Sequence, residues 1–222
     1  MNRRFRWPPL IAGLLLATVF SIRTNAQLSD FAELSAKAAQ GNAEAQFKLG
    51  VRYHYGEGVP QNYSEALKWF QKSADQGFAA AQSEFGYMHE QGHGTVVNFD
   101  EALKWYRKAA GQGLPLGINN VGSMYDQGRG TPQNLTEAAT WFRKAAEQGL
   151  PVAQRNFGNA LAQGRGVKQD YVEAYKWLNL AAATGDKPAS EGLNALEMKM
   201  TPAQIAEGQR LSREFKPQES EK

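Results

Sequence analysis

The stretch Glu65–Gly77, EALKWFQKSADQG, returns three times: as EALKWYRKAAGQG at Glu101–Gly113, EAATWFRKAAEQG at Glu137–Gly149 and EAYKWLNLAAATG at Glu173–Gly185. Trp69, Trp105, Trp141 and Trp177 stand 36 residues apart, as do Gly77, Gly113, Gly149 and Gly185. A fixed period of this size repeats one supersecondary unit that cannot bury its own apolar face. Such units become stable only by stacking on their neighbours. The chain is therefore predicted to be all-α, a solenoid of helical hairpins.

Each unit reads as two helices. In the first unit Ala45, Leu49, Gly50 and Tyr53 fall on one face at helical spacing. Gly50, Gly86, Gly122 and Gly158 recur inside this helix, where glycine costs about 1 kcal/mol relative to alanine. A recurring cost implies a recurring return, expected to be close approach of the paired helix with its small Ala66, Ala102, Ala138 and Ala174. A Gly-x-Gly turn follows (Gly56/Gly58, Gly92/Gly94, Gly128/Gly130, Gly164/Gly166), ending the first helix with residues free to take positive φ. The second helix opens on Asn62-x-x-Glu65, Asn98-x-x-Glu101, Asn134-x-x-Glu137 and Asp170-x-x-Glu173, the pattern of a reciprocal capping box.

Four full repeats result, at residues 42–77, 78–113, 114–149 and 150–185. Residues 27–41 form a half unit, an N-terminal capping helix with Ser29 or Asp30 at its start. Its Glu33 and Lys37 stand where later units carry Trp69 and Ser73, as suits an uncovered end. Residues 186–216 supply C-terminal capping helices, the last opened by Thr201-Pro202-Ala203-Gln204. Residues 217–222 are predicted to be a disordered tail.

The first 26 residues stand apart. Arg3, Arg4 and Arg6 precede a mostly apolar run from Leu10 to Phe20, and Thr24-Asn25-Ala26 offers small residues for cleavage. This is the layout of a secretory signal peptide, and the run is shorter than the ~20 residues of a spanning helix. Removing it takes away four Arg and leaves 21 basic against 22 acidic residues. The basic excess thus belongs to the leader and gives no support for nucleic-acid binding. The chain has no Cys, which excludes disulfides, thiolate chemistry and a lipid-anchored cysteine. The expected location is the periplasm or the secreted fraction, without stable membrane insertion after cleavage.

The combination A-x-x-x-L-G-x-x-Y-x-x-G-x-G-V followed by E-A-x-x-W-x-x-K-A-A-x-Q-G resembles the Sel1-like repeat, from about Asn42 to Gly185. Val51–Val59 with Glu65–Gly77 is close to a full match, and TPAQIAEGQRLSREF is similar to the tail of many bacterial members. Gly117 in place of Ala45, Leu161 in place of Tyr53 and Ala139 in place of Leu67 depart from the pattern and are expected to loosen single contacts. The resemblance implies a right-handed α-solenoid related to tetratricopeptide repeats, used as an adaptor for protein partners. In bacterial envelopes such proteins serve polysaccharide export, regulation of sensor proteins and host-cell entry.

Candidate chemistry is sparse. His89-Glu90-Gln91-Gly92-His93 spells H-E-x-x-H, but a zincin needs both histidines on one unbroken helix. Gly92 is the repeat's helix-ending glycine, so no metal site is predicted. The Gly-x-Gly turns lack the strand and further Gly or Lys of a phosphate loop. Asn62 and Asn134, which match glycosylation acceptors, are explained as helix caps. Lys68, Lys72, Lys104, Arg107, Lys108, Arg143 and Lys144 form a basic stripe on the second helices, read as a solvated face. The tryptophans are read as core. No catalytic set and no cofactor is predicted.

The first helices remain. Opposite their core positions lie residues that vary between repeats, as on a concave binding surface: Lys48, Arg52 and Tyr55; Glu84, Tyr87 and Met88; Asn120 and Met124; Asn156. Val51, Gln91, Ser123, Gln127, Asn159, Ala160 and Gln163 share that face. Tyr55, Tyr87, Met88 and Met124 are expected to be exposed anchors, because aromatics and Met are enriched at interface cores. The predicted function is a non-catalytic adaptor or scaffold that binds a protein or peptide there. The alternatives are a hydrolase of cell-wall-type compounds, known among cysteine-rich relatives, and a structural component of an envelope secretion complex.

Overall fold

The computed structural model describes residues 30–218, so the leader predicted at residues 1–26 and the last four residues lie outside the described residues. Within them the chain is helical throughout. Helix α1 covers residues 30–39. Then come α2 (Ala43–Tyr55), α3 (Tyr63–Asp75), α4 (Ala79–Gln91), α5 (Phe99–Gly111), α6 (Pro115–Gln127), α7 (Leu135–Glu147), α8 (Pro151–Gln163), α9 (Tyr171–Ala183), α10 (Lys187–Glu197) and α11 (Pro202–Glu214). The pairs α2/α3, α4/α5, α6/α7 and α8/α9 are the four hairpins, and each hairpin stacks on the next.

Close approach inside each hairpin is made by the recurring glycine, with a different partner from the one expected. A Cβ built on Gly50 would lie 2.6 Å from the Phe70 ring, and one on Gly86 2.9 Å from the Tyr106 ring. At Gly122 the obstacle is Phe142 at 2.8 Å, and at Gly158 it is Leu178 at 2.9 Å. The small alanine contributes its carbonyl, 3.1 Å away at Ala102 and 3.2 Å at Ala138 and Ala174. The first helix therefore seats its bare backbone on the large side chain one turn beyond the alanine. Phe70, Tyr106 and Leu178 are almost fully buried in consequence.

The turns work as expected at one end and differently at the other. Gly56, Gly92, Gly128 and Gly164 take left-handed φ between 66° and 73° and close the first helices. Asn62, Asn98 and Asn134 accept the N–H of the glutamate three residues on, at 3.0–3.1 Å. The reciprocal half of the box does not form, because the cap's own N–H is already committed. Asn62 donates to the Tyr53 carbonyl, Asn98 to that of His89, Asn134 to that of Tyr125 and Asp170 to that of Leu161, at 2.8–3.1 Å. Three of the glutamates turn to lysine instead, Glu65 to Lys68, Glu101 to Lys104 and Glu173 to Lys176. Among the described residues only α11 carries the full box, between Thr201 and Gln204.

Repeats are keyed together by buried amides. Gln46, Gln82 and Gln154 are each at most 5% exposed and donate to the carbonyls of Ala38, Ala74 and Ala146 at the end of the preceding helix. Gln76 donates to the Gln46 side chain at 2.7 Å and Gln112 to that of Gln82 at 2.8 Å. In the third repeat the place of Gln46 is held by Ile118, and the side-chain carbonyl of Gln148 is buried without a partner. Gly117 does not loosen this junction as expected. A Cβ there would sit 2.8 Å from the Ala109 Cβ, so the missing methyl lets α6 close on α5.

The tryptophans divide. Trp105 and Trp177 are buried and Trp69 and Trp141 half-buried, and each has a lysine ammonium over its ring (Lys72 at 4.3 Å on Trp69, Lys108 at 3.5 Å on Trp105, Lys144 at 5.8 Å on Trp141, Lys176 at 4.5 Å on Trp177). The basic stripe thus covers apolar rings as well as facing water.

At the C-terminus α11 lies along α9, with Gly208 against the Tyr175 ring and Asn179 donating to the Ser212 hydroxyl at 2.8 Å. Phe215 meets Trp177 edge-on at 5.1 Å. That anchor brings Pro217 against Gly149 and the Gln218 N–H to the Glu147 carbonyl at 2.8 Å. The tail predicted to be disordered is therefore docked in its first two residues. A helix-end carbonyl without an internal partner supplies the reason.

These contacts separate two glycines on neighbouring helices. Gly86→Ala is expected to cost about 1–3 kcal/mol, because the methyl enters the Tyr106 ring and the Ala102 carbonyl. Gly111→Ala, with nothing within 4 Å of its Cβ, is expected to gain about 0.4–1 kcal/mol. Urea unfolding of the two variants measures the contrast.

Candidate partner-binding face

First helices of successive repeats touch one another, as α4 does α6 and α8 does α10, and side chains link them along the stack. Asn120 donates to Ser83 at 3.4 Å, and Asn156 to Asn119 at 3.0 Å. Elements that approach each other more closely than their partners line the inner side of a curved stack. The predicted site residues are on these helices, but they do not all reach the surface.

Lys48 is exposed and paired with Glu44 at 2.6 Å. Arg52 is held by Asp30 of α1, so it ties the capping helix down instead of standing free. Tyr55 is 62% exposed and Tyr87 37% exposed. Glu84 and Asn156 are half-buried, as is Asn120 between Ser83 and Asn119.

Met88 and Met124 correct the expectation. They are 0% and 1% exposed, and Ala160 at the same register is also buried. Met88 packs into the cluster of Phe70, Ala81 and Phe85, and Met124 into that of Tyr106, Val121 and Phe142. The helical wheel fails here because a first helix contacts three neighbours: its own partner, the preceding second helix and the preceding first helix. In the later repeats the Arg52 place of the supposed open face is consumed by the stack. In the first repeat the same place holds Arg52, where only α1 precedes.

The exposed aromatics adjoin. The His54 ring, almost fully buried, lies 4.6 Å from Tyr55 and 6.1 Å from Tyr87. His93 stacks on Tyr63 at 4.3 Å and 11° and meets Tyr87 edge-on at 5.9 Å. Tyr55 and Tyr87 therefore form one patch across the first two repeats. Burial pushes the Tyr55 hydroxyl pKa up, with Glu84 and Tyr87 adding to it, and burial likewise raises that of Glu84. Both shifts are toward the neutral form, the direction in which covering by a partner would push them further. Beside the patch a groove of about 610 Å³ opens between α1 and α2, lined by Leu34, Phe47, Val51, Lys48 and Arg52 among others.

The H-E-x-x-H stretch is broken between its histidines. Helix α4 ends at Gln91, Gly92 is left-handed, and His89 lies edge-on to Phe85 while His93 stacks on Tyr63. Among the described residues no group of three or more His, Cys, Asp or Glu is arranged to hold a metal ion. Among them too, no helix is long and apolar enough to cross a membrane.

Sequence reasoning missed the amide keys and the His54/Tyr63/His93 cluster. The first left a signal, glutamine recurring at 46, 82 and 154 and again at 76, 112 and 148. The second left none, because His54 and His93 belong to different repeats and different register places. Met88→Ala is expected to destabilise by about 2–5 kcal/mol as a core truncation. Tyr55→Ala and Tyr87→Ala are expected to stay within about 1 kcal/mol of the parent, and thermal unfolding of the three distinguishes core from surface.

Comparison with known proteins agrees with this architecture. The Sel1 repeat model matches residues 43–78, 79–114, 115–150 and 151–186, each one residue later than the periods read from the tryptophans. The protective antigen c5321 of uropathogenic Escherichia coli, described as displaying an SLR fold, superposes with a TM-score of 0.79 at 35% identity, over 85% of this chain and 40% of its own. A Sel1 repeat protein from Oxalobacter formigenes gives 0.74 at 31%, over 87% of this chain and 79% of its own. The Arabidopsis thaliana ERAD-associated E3 ubiquitin-protein ligase component HRD3A is 40% identical over 47 residues, 21% of this chain and 7% of HRD3A. The chain thus spans a small part of that curated relative and less than half of c5321. Sel1 repeat proteins are generally non-catalytic protein-interaction adaptors. With four matched repeats covering more than half of its length, the chain belongs to the Sel1 repeat family.

Proposed function

We propose that this protein is a non-catalytic adaptor or scaffold that binds a protein or peptide partner on the inner, first-helix face, with Tyr55 and Tyr87 as its anchors. The observation that carries the reading is the exposure of these two large rings side by side on adjacent repeats, while the core around them is closed. Exposed tyrosine offers apolar area and a hydrogen-bonding tip at small entropic cost, the profile of an interface anchor. Lys48, Glu84 and the amides of Asn120 and Asn156 flank the anchors with polar contacts. That HRD3A is a component of a ligase assembly is consistent with repeats of this kind working inside larger complexes. The leader-like residues 1–26 support export, and the proposed site of action is the periplasm or the secreted fraction.

Crosslinking of the tagged full chain in intact cells, followed by mass spectrometry, tests both halves. The expected result is a stoichiometric envelope or extracellular protein that a Tyr55→Ala/Tyr87→Ala variant captures at least about tenfold less well, as for hot-spot truncation. A partner retained in full by that variant removes the face. Turnover of peptidoglycan fragments by the purified chain removes the adaptor.

A further inference from the structure

Two of the junctions between repeats carry an ion pair at the same register. Arg129, in the turn of the third repeat, reaches back to Glu90 of α4 at 3.3 Å. Arg165, 36 residues later, reaches back to Asp126 of α6 at 2.7 Å. One period earlier the same two places are held by His93 and His54, whose ring centroids are 5.5 Å apart. The surroundings correspond as well: Arg129 lies over the Phe99 ring at 5.2 Å, and His93 is stacked on Tyr63, the residue one period before Phe99. A cation–carboxylate contact at two junctions is thus replaced at the first by a contact between two imidazoles.

We propose that the His54–His93 pair is a pH-sensitive joint between the first and second repeats, closed while the His54 ring is neutral and weakened when it takes up a proton.

Neither ring has a counter-charge in place. The Nδ1 atoms of both are buried without a hydrogen-bond partner. From the packed elements the pair meets Tyr55 of its own helix, Tyr63 and Phe70 of α3, and Tyr87 of α4, none of them a carboxylate. Most of the carboxylates on those elements are engaged elsewhere. Glu90 accepts from Tyr106 of α5 and from Arg129, Glu65 is paired with Lys68, and Asp30 with Arg52. Glu84 of α4, its pKa raised by burial, is felt by Tyr55, and Glu57 is exposed in the first turn. Burial, and after it the charge on His93, pushes the His54 pKa below its usual 6.5. The unfolded or opened chain therefore binds the proton first as pH falls. Stability present above about pH 6.5 is lost below it, the reverse of an imidazole that gains an acid partner.

Hydrogen exchange of the full chain, read by mass spectrometry at about pH 7.5 and about pH 5.5 and corrected for intrinsic rates, tests the joint. Amides of α2 and α3 are expected to lose protection by up to about tenfold on acidification, the limit for one imidazole that stays neutral when closed. Those of α6 to α9 are expected to hold. His54→Glu/His93→Arg, which copies the other two junctions, is expected to remove the loss. His54→Phe, which keeps an aromatic volume without the titration, is expected to remove most of it, should the first variant fold poorly. His89, also pushed down by burial but packed on Phe85 away from the joint, serves as control. His89→Tyr, the residue of the first and third repeats there, is expected to leave the acid response of α2 and α3 in place. A loss spread evenly along the chain, a loss that survives in both joint variants, or a loss abolished by His89→Tyr overturns the proposal. Protection of α2 gained on adding zinc at about pH 7.5 and reversed by a chelator would make the pair a metal site and overturn it equally.

Discussion

Within each hairpin the separation of the two helices is set by a glycine resting on a large side chain, and much else is referred to that distance. Gly86 over Tyr106 is representative: no other residue lets the backbone of α4 sit against the ring, and the ring is in turn almost fully removed from water. The closeness also allows the N–H that opens each second helix to reach the carbonyl at the Tyr53, His89, Tyr125 or Leu161 place. Each hairpin is thereby closed at its turn by backbone as well as by packing. Glycine's unfavourable helix propensity is offset by burial of a Phe, Tyr or Leu worth about 1.5–3 kcal/mol.

Given rigid hairpins, the differences between repeats fall at the junctions. Gln82 and Gln154 fix the register of one repeat on the last through directional hydrogen bonds, while Glu90–Arg129 and Asp126–Arg165 pair charges nearer the surface. Buried amides of this kind add little net energy when satisfied and cost about 1–3 kcal/mol when orphaned. Their effect is to make the wrong stacking unfavourable, more than to make the right one tight. The inner face then inherits its geometry from the stack: Tyr55 and Tyr87 adjoin because the register places their helices so.

Much of this was legible in the chain. The period, the turn glycines, the Asn caps and the polar outer side of α1 are local features, and local physics decides them. The candidate face was legible only in part. Tyr55 and Tyr87 are exposed as their wheel positions imply, but Met88 and Met124 are not, because a wheel describes one helix and burial at those places comes from the previous repeat. Arg52 was similarly misjudged, since its partner Asp30 lies 22 residues earlier in another helix. The docked Pro217 and Gln218 depend on Phe215 finding Trp177, a contact no periodic pattern contains.

Ile118 gives the stack an asymmetry along its length. The junctions keyed by Gln46, Gln82 and Gln154 resist sliding, because a shift of an ångström breaks a hydrogen bond between buried groups. The junction before α6 has apolar Ile118 at that buried place, tightened by Gly117, and its directional links lie nearer the surface, Asn120 on Ser83 and Arg129 on Glu90. A rod with one joint toothed only at its rim is held in register there at a different depth from the others. That place divides the tyrosine patch of the first two repeats from the amide-rich surface of the last two, so the alignment of the two halves of the inner face is set at the rim by Asn120 and Arg129 and not in the core.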